Sequence, residues 1–569
     1  MPKILGPRAS IDSLKKDAKR WLKALDDGDA AALARLRAAW PGAPDKPVLR
    51  EVHHAMAREH GFANWADLKD ALDARALARL GREALAELLL GSAWDSGDQA
   101  AAARIARHHP EIAHLSIHTA VAFGDIDEVR RRLQADPAQA CAKGGALGWE
   151  PLLYLAYSRL PVPAVADNAI DLAALLIDHG ADPNANFNDG WDNPFAVLTG
   201  VIGLGEGVRP PHPSDRALAA YLIARGAEPF DTQALYNSSI VGDDTYWLDV
   251  LWEACVAQGR EALWSEPEGR SVLGGALKPN ALDYLLGNAV TFHHPARTEW
   301  LLAHGADPDG RNFYRKRRHH AMAQLHGFMD IAAILERHGA QPVRLPDSLA
   351  FHAACMRFDE AEARRLAAAH PAFLQDPSPL LYAAQQDRVD IIRLLLDLGM
   401  PADLEGPKAN RALIAAAHSG ALAAAKLLID EGADVDRRGG DHTATPLGCG
   451  TFWQNQAMID LIAPLSRDVH ALTAAPRLDR LRVVLAEQPT LANLRNPRGV
   501  TPLFGLPSDE EDALQAAEIL LAAGADAKAR NGEDETPDTV ARRRGLTDAA
   551  DMLLAELIKG GSTTSVRPE

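Results

Sequence analysis

The chain has 569 residues, with 47% hydrophobic and 24% charged side chains, so it is long enough for several cores or a repeat array and ordinary in make-up for a folded protein. Its formal net charge of −17 disfavours a general nucleic-acid binder or an anionic-membrane binder. Four widely separated cysteines form no CxxC pair and fit a reducing, cytoplasmic setting, and no stretch approaches the roughly 18 apolar residues of a membrane span.

In chain order, residues 13–40 (SLKKDAKRWLKALDDGDAAALARLRAAW) predict amphipathic helix. Residues 49–73 (LREVHHAMAREHGFANWADLKDALD) predict two helices broken at Gly61, with Trp65 as an anchor. From there a phrase recurs: LLIDHGADPN at 175–184, YLIARGAEPF at 221–230, WLLAHGADPDG at 300–310, ILERHGAQPV at 334–343, LLLDLGMPAD at 394–403, LLIDEGADVD at 427–436 and ILLAAGADAK at 519–528. Apolar residues at helical spacing run into a glycine suited to the left-handed conformation that ends a helix, and an aspartate turn follows. Upstream stands a polar residue and a proline, in EPLLYLAY (150–157), NPFAVLT (193–199), SPLLYAA (378–384), TPLGCG (445–450) and TPLFGL (501–506); this predicts a capped helix start. The unit is a turn, a helix, a short turn, a second helix and a loop. No such unit buries its apolar face alone, so neighbours must stack.

Three stretches, 118–140, 351–374 and 470–492, predict units with a different, proline-closed loop. Several spacings exceed the period. Residues 199–215 (TGVIGLGEGVRPPHPSD) predict a long loop, and 445–466 predict a further, degenerate repeat.

This pattern resembles the ankyrin repeat over about residues 115–558. The resemblance implies an all-α, ankyrin-type α-solenoid of stacked helix pairs with short hairpin loops. We expect an N-terminal helical cap over 1–110, a first array with long insertions over 111–345, a second array over 346–558, and a disordered tail at 559–569.

The run RKRRHHAMAQLHGF (315–328) falls on a hairpin tip and a helix start, which separates its histidines and argues against a metal site. Cations at a helix start oppose its dipole and favour an anionic partner. The insertion offers Arg209 and His212 for partner contact. Residues 233–254 place Tyr236, Asn237, Asp243 and Asp244 toward a groove, beside tryptophans that serve equally as core. Trp149, and Trp191 with its neighbour Asp192, fall at hairpin tips, and Arg315 and Arg317 on the basic hairpin. No catalytic, metal or cofactor motif appears. The resemblance implies a cytoplasmic, monomeric scaffold that binds a protein partner through its concave groove and hairpin tips, rather than an enzyme. The alternative is a small-molecule or catalytic groove built around the irregular repeats 185–300, with His212, Asp215, Tyr236 and Asp244 converging on a closed pocket.

Overall fold

The structure, a computed structural model, describes residues 3, 5, 11–44, 46–47, 49–94, 98–190, 193–206, 209–267 and 269–559. The tail beyond 559 lies outside them.

One repeat shows how the sequence makes the fold. Ala412–Ser419 is a helix of small, strongly helix-forming residues, with Ala412 to Ala417 buried. Gly420 ends it in the left-handed conformation. Leu422–Asp430 then returns as a second helix that buries only Ala424, Ala425, Leu427 and Leu428. The seven glycines of the recurring phrase, Gly180, Gly226, Gly305, Gly339, Gly399, Gly432 and Gly524, all have φ between 87° and 100°. A side chain there costs about 1 kcal/mol or more. The aspartate two residues on is equally purposeful. Asp182, Asp307, Asp434 and Asp526 each accept a hydrogen bond from the backbone N–H two positions later, at 2.8–3.0 Å. This Asx turn leaves the middle residue without a donor role, so proline fits there.

The chain divides into two compact units, residues 1–11 with 21–344 and residues 12–20 with 345–569. In the first, the helices Ile117–Phe123, Pro151–Tyr157, Val197–Ile202, Thr232–Ser239, Ala281–Thr291 and His319–His326 pack one on the next as first helices of successive pairs. Ile126–Ala135, Ala169–Asp178, Asp215–Ala224, Tyr246–Ala257, Pro295–Ala303 and Met329–Arg337 are their second helices. One continuous apolar core runs from Leu77 to Ala340. Leu85, Leu89, Ala102 and Ile105, on the helices Arg82–Gly91 and Gln99–His108, belong to it.

In the second unit the same stacking runs from Asp347–Met356 to Thr547–Lys559 around a core from Phe351 to Leu553. The proline-closed units each end in a 3₁₀ turn opened by the proline, at Pro137–Cys141, Pro371–Gln375 and Pro489–Asn493.

Several expectations need correction. NPFAVLT does not start a helix at its proline: Phe195 and Ala196 pair with Phe187 and Asn186 as a short antiparallel hairpin, and the helix begins at Val197. Phe195 is held there by aromatic packing on Phe187 at 5.4 Å. The predicted loop 199–215 is helical as far as Ile202. TPLFGL forms only the 3₁₀ turn Pro502–Gly505, because Pro507 follows and cannot supply a helical N–H. Residues 13–40 form two helices, Ile11–Asp26 and Ala30–Ala39, with Gly28 at φ 77° between them. No helix among the described residues is long and apolar enough to cross a membrane.

Candidate functional site

The two departures from the period in the first unit, 203–214 and 265–280, build a cleft. The first departure leaves its helix through Gly203, Leu204 and Gly205, all at positive φ. A Cβ at Gly203 would meet the carbonyls of Arg209 and Pro210 below 3.0 Å, so only glycine allows the chain to fold back. Asn237 pins the turn: its Nδ2 donates to the Gly203 carbonyl at 3.2 Å, and its Oδ1 accepts from Gln233 Nε2 at 2.8 Å. The second departure is anchored by Asn193, whose Oδ1 accepts from the Ala276 N–H at 3.0 Å. Gly275 lies so close to Asn193 and Thr232 that a Cβ would clash at 2.5 and 2.3 Å.

Between these loops and the first helices lies a cavity of about 910 Å³. One wall is aromatic and fixed. Trp94 meets Tyr157, Phe187 and Phe195 edge-on at 4.9–5.8 Å and donates from Nε1 to Asp189 at 3.2 Å. The Arg209 guanidinium lies over Trp94 at 5.1 Å and donates to the Ala93 carbonyl. The facing wall carries phenols. Tyr236 donates to Glu206 at 2.7 Å, and the hydroxyls of Tyr284 and Tyr314 meet at 3.0 Å. Tyr314 is 67% exposed, so this side opens to solvent. Burial, and then the hydrogen bonds to Glu206 and Tyr314, push Tyr236 and Tyr284 above the usual phenol value, so both remain protonated donors. Arg270 and Lys278 complete the lining.

The sequence-derived candidates distribute unevenly around this cleft. Arg209, Tyr236 and Asn237 line it. Trp149 is 6% exposed, stacks on Phe187 at 4.3 Å and borders a smaller cavity of about 360 Å³. His212 is buried within the first loop, and its Nδ1 accepts from the Ser214 N–H at 3.0 Å. Burial, and then the Arg159 charge, bring it down to about 3, so it is neutral. Asp243 caps the helix Pro295–Ala303 by accepting from the N–H groups of Ala296 and Arg297, both at 3.0 Å. Asp244 accepts from Tyr246 N–H at 3.0 Å, and its carbonyl holds Arg297 at 2.8 Å. Arg315 and Arg317 are exposed on the hairpin that carries Phe313 and Tyr314. Trp191 and Asp192 lie outside the described residues. His212, Asp215, Tyr236 and Asp244 do not converge: of these only Tyr236 lines the cleft.

Sequence periodicity missed Trp94, Glu206, Tyr284, Phe313 and Tyr314. Tyr284 has the spacing of a core residue and is only 8% exposed, yet its hydroxyl faces the cavity lining. The signal that was available was Phe313-Tyr314 directly before the basic run. Among the described lining residues there is no histidine, cysteine or serine. No group of three or more metal-binding side chains exists among the described residues.

Residues 351–439 match a family model described as ankyrin repeats in three copies. A relative from Escherichia coli (strain K12), named as the ankyrin repeat protein YahD, is 28% identical over 194 residues, covering 32% of this chain and 96% of its own. Among solved structures, an ankyrin repeat domain from Acinetobacter baumannii AYE is 22% identical, with a TM-score of 0.25, over 32% of this chain and 98% of its own. A predatory endopeptidase from Bdellovibrio bacteriovorus in complex with an immunity protein is 24% identical, with a TM-score of 0.24, over 36% of this chain and 97% of the matched chain.

Proposed function

We propose, from the premise that this chain is an ankyrin-repeat protein, that its first unit binds a partner protein by taking an extended segment of it into the cleft between the first helices and the two long loops. The observation that carries this reading is the cleft itself. It is a preformed concavity of about 910 Å³ with fixed aromatic walls and a polar lining. Rigid aromatics ringed by polar groups are the side chains on which interface energy concentrates. Holding the loops by Asn193 and Asn237 keeps the ordering cost of binding low. Four free cysteines and no disulfide among the described residues support a cytoplasmic setting.

A photo-reactive phenylalanine analogue tests this. Placed at position 314 on the cleft rim it should form a covalent adduct with one cellular protein. At position 256, an exposed valine on a second helix, it should not. Equal adducts at both positions, or none at 314, would remove the reading. The cavity volume also falls in the range of small-molecule sites, so a small molecule is the second reading. Native mass spectrometry of the purified chain, with a bound mass displaced by a Tyr236→Ala substitution, would favour it instead.

A further inference from the structure

The hairpin 310–318 reads GRNFYRKRR, five cations without a carboxylate, in a chain whose net charge is −17. Its shape is imposed locally. Asn312, 6% exposed, accepts from the N–H groups of Tyr314 and Arg315 at 3.0 and 2.9 Å. Its own N–H donates to the Arg317 carbonyl at 2.9 Å. The same turn that presents Phe313 and Tyr314 to the cleft therefore fixes Arg315 and Arg317 outside it. Three of the five cations are occupied. Arg318 pairs with Asp309 at 2.7 Å, Arg311 donates to the Lys316 carbonyl at 3.1 Å, and the Lys316 ammonium lies over the Phe313 ring at 4.2 Å. Arg315 and Arg317 are exposed and form no ion pair among the described residues. Like charges gathered on one short hairpin repel one another, and a bound anion relieves that cost.

We infer that the segment accepted by the cleft is bipartite: an apolar or aromatic side chain that seats against Tyr284, Phe313 and Tyr314, followed by carboxylates that lie along Arg315 and Arg317. The inference rests on the binding reading above and names the chemistry of the partner. Polypeptide fits better than nucleic acid for two reasons. The basic patch is a single hairpin long, within a chain whose overall charge repels a polyanion. The cleft lining sets Asp189 and Glu206 among Arg209, Arg270 and Lys278, a mixed set that suits a segment charged at one end better than a continuous phosphate backbone.

The test uses the full chain and fluorescein-labelled peptides of about twelve residues, read by anisotropy. One peptide places Trp-Leu before a run of Glu and Asp, a second replaces the acids by Ser and Asn, and a third replaces them by Lys. A single-stranded DNA of equal length is the fourth probe. The acidic peptide should bind roughly tenfold or more tighter than the neutral one, and it should lose at least roughly tenfold between about 0.05 and 0.5 M salt. The Lys peptide should not bind. Arg315→Glu with Arg317→Glu should weaken the acidic peptide by roughly tenfold, while Arg315→Lys with Arg317→Lys keeps most of the affinity. Both arginines are exposed, and an unchanged circular-dichroism melt checks that the variants fold. No binding of the acidic peptide, equal binding of the neutral one, indifference to charge reversal, or DNA binding as tightly would each overturn the inference. Photo-crosslinking at 314 in the charge-reversed chain separates the two levels: an adduct that persists there leaves the cleft reading standing and removes the acidic one.

Discussion

The first unit holds ten of the eleven tryptophans and both loops that build the cleft, while the second holds only Trp453. Both are built from the same helix pair, the same left-handed glycine and the same Asx turn. What differs is how the space between pairs is filled. In the second unit the interior is mostly alanine, leucine and isoleucine, and neighbouring pairs close on one another. In the first, large rings stand in the core as well: Trp264, Tyr154, Tyr157 and Phe230 are among the largest fully buried side chains. Trp264, directly before the second departure, packs on Phe230, Trp252 and Trp300, so bulky rings secure the core where the loop leaves it, and the cleft lies between the loops and the first helices.

The largest expected effect tests that claim directly. Trp264 is fully buried between Phe230, Trp252 and Trp300, at ring distances of 5.4–6.0 Å. Trp264→Ala should cost about 3–5 kcal/mol. In a Trp453→Phe background, tryptophan fluorescence reports the first unit alone and circular dichroism reports both. The urea transition seen by fluorescence should move to lower denaturant, with the remaining circular-dichroism transition in place. A common shift of both would mean that the two units unfold as one block, and the comparison would fail.

A second expectation concerns acid. Burial holds His118, His212, His294 and His319 of the first unit below the ordinary histidine value, with His212 at about 3 and His319 at about 4. His470 is the counterpart in the second unit, also lowered by burial. A histidine neutral in the fold takes its proton first in the unfolded chain, so its stabilisation is complete above about pH 6.5 and is lost as pH falls toward the folded value. Asp231 acts with opposite sign. Burial raises it to about 6, so it binds a proton in the fold before it would when unfolded. Glu150, also raised by burial, acts with Asp231, and the four histidines outweigh the two carboxyls, which leaves a net loss. Between pH 6.5 and 5 the first unit should lose on the order of 2 kcal/mol and the second less, since His212 and His319 each contribute up to about 1.4 kcal/mol per pH unit and Asp231 offsets part of it. Urea midpoints at the two pH values, read by the same two signals, check it; equal losses would contradict the assignment.

The fold was legible because its signals are local. Gly180, Gly226, Gly305 and the others carry their backbone requirement in their identity, and the aspartates two residues on carry the turn. The departures were not legible, because they are decided by contacts between distant residues: Phe195 stays extended to reach Phe187, and residue 275 must be glycine only because Asn193 and Thr232 sit against it. The site followed the same rule. Tyr236 and Asn237 were readable as polar and aromatic residues on one helix, whereas Trp94 and Tyr314, 220 residues apart in sequence, become neighbours of one cavity only through the stacking.

The smallest effect compares one interaction that both units contain. Thr199 donates to Asp231 at 2.7 Å, and Thr445 donates to Asp468 at 2.7 Å. Each aspartate caps the first helix of the next pair, Asp231 through the N–H groups of Gln233 and Ala234 and Asp468 through those of His470 and Ala471. The surroundings differ. Arg438 pairs with Asp468 at 3.0 Å, whereas Asp231 is fully buried and depends on hydrogen bonds. Thr199→Val removes one of those bonds from a carboxylate that no cation compensates, and should cost about 1–3 kcal/mol. Thr445→Val also removes its own cap on Gly448, but Arg438 continues to hold Asp468, so about 1 kcal/mol is expected. The order should reverse at pH 5: there Asp231 is mostly protonated and already neutral, so the loss at Thr199 shrinks below that at Thr445. Urea titrations of the two variants at pH 7 and pH 5 measure both differences. An unchanged order at pH 5 would show that the Asp231 site is not the uncompensated charge that distinguishes the first unit.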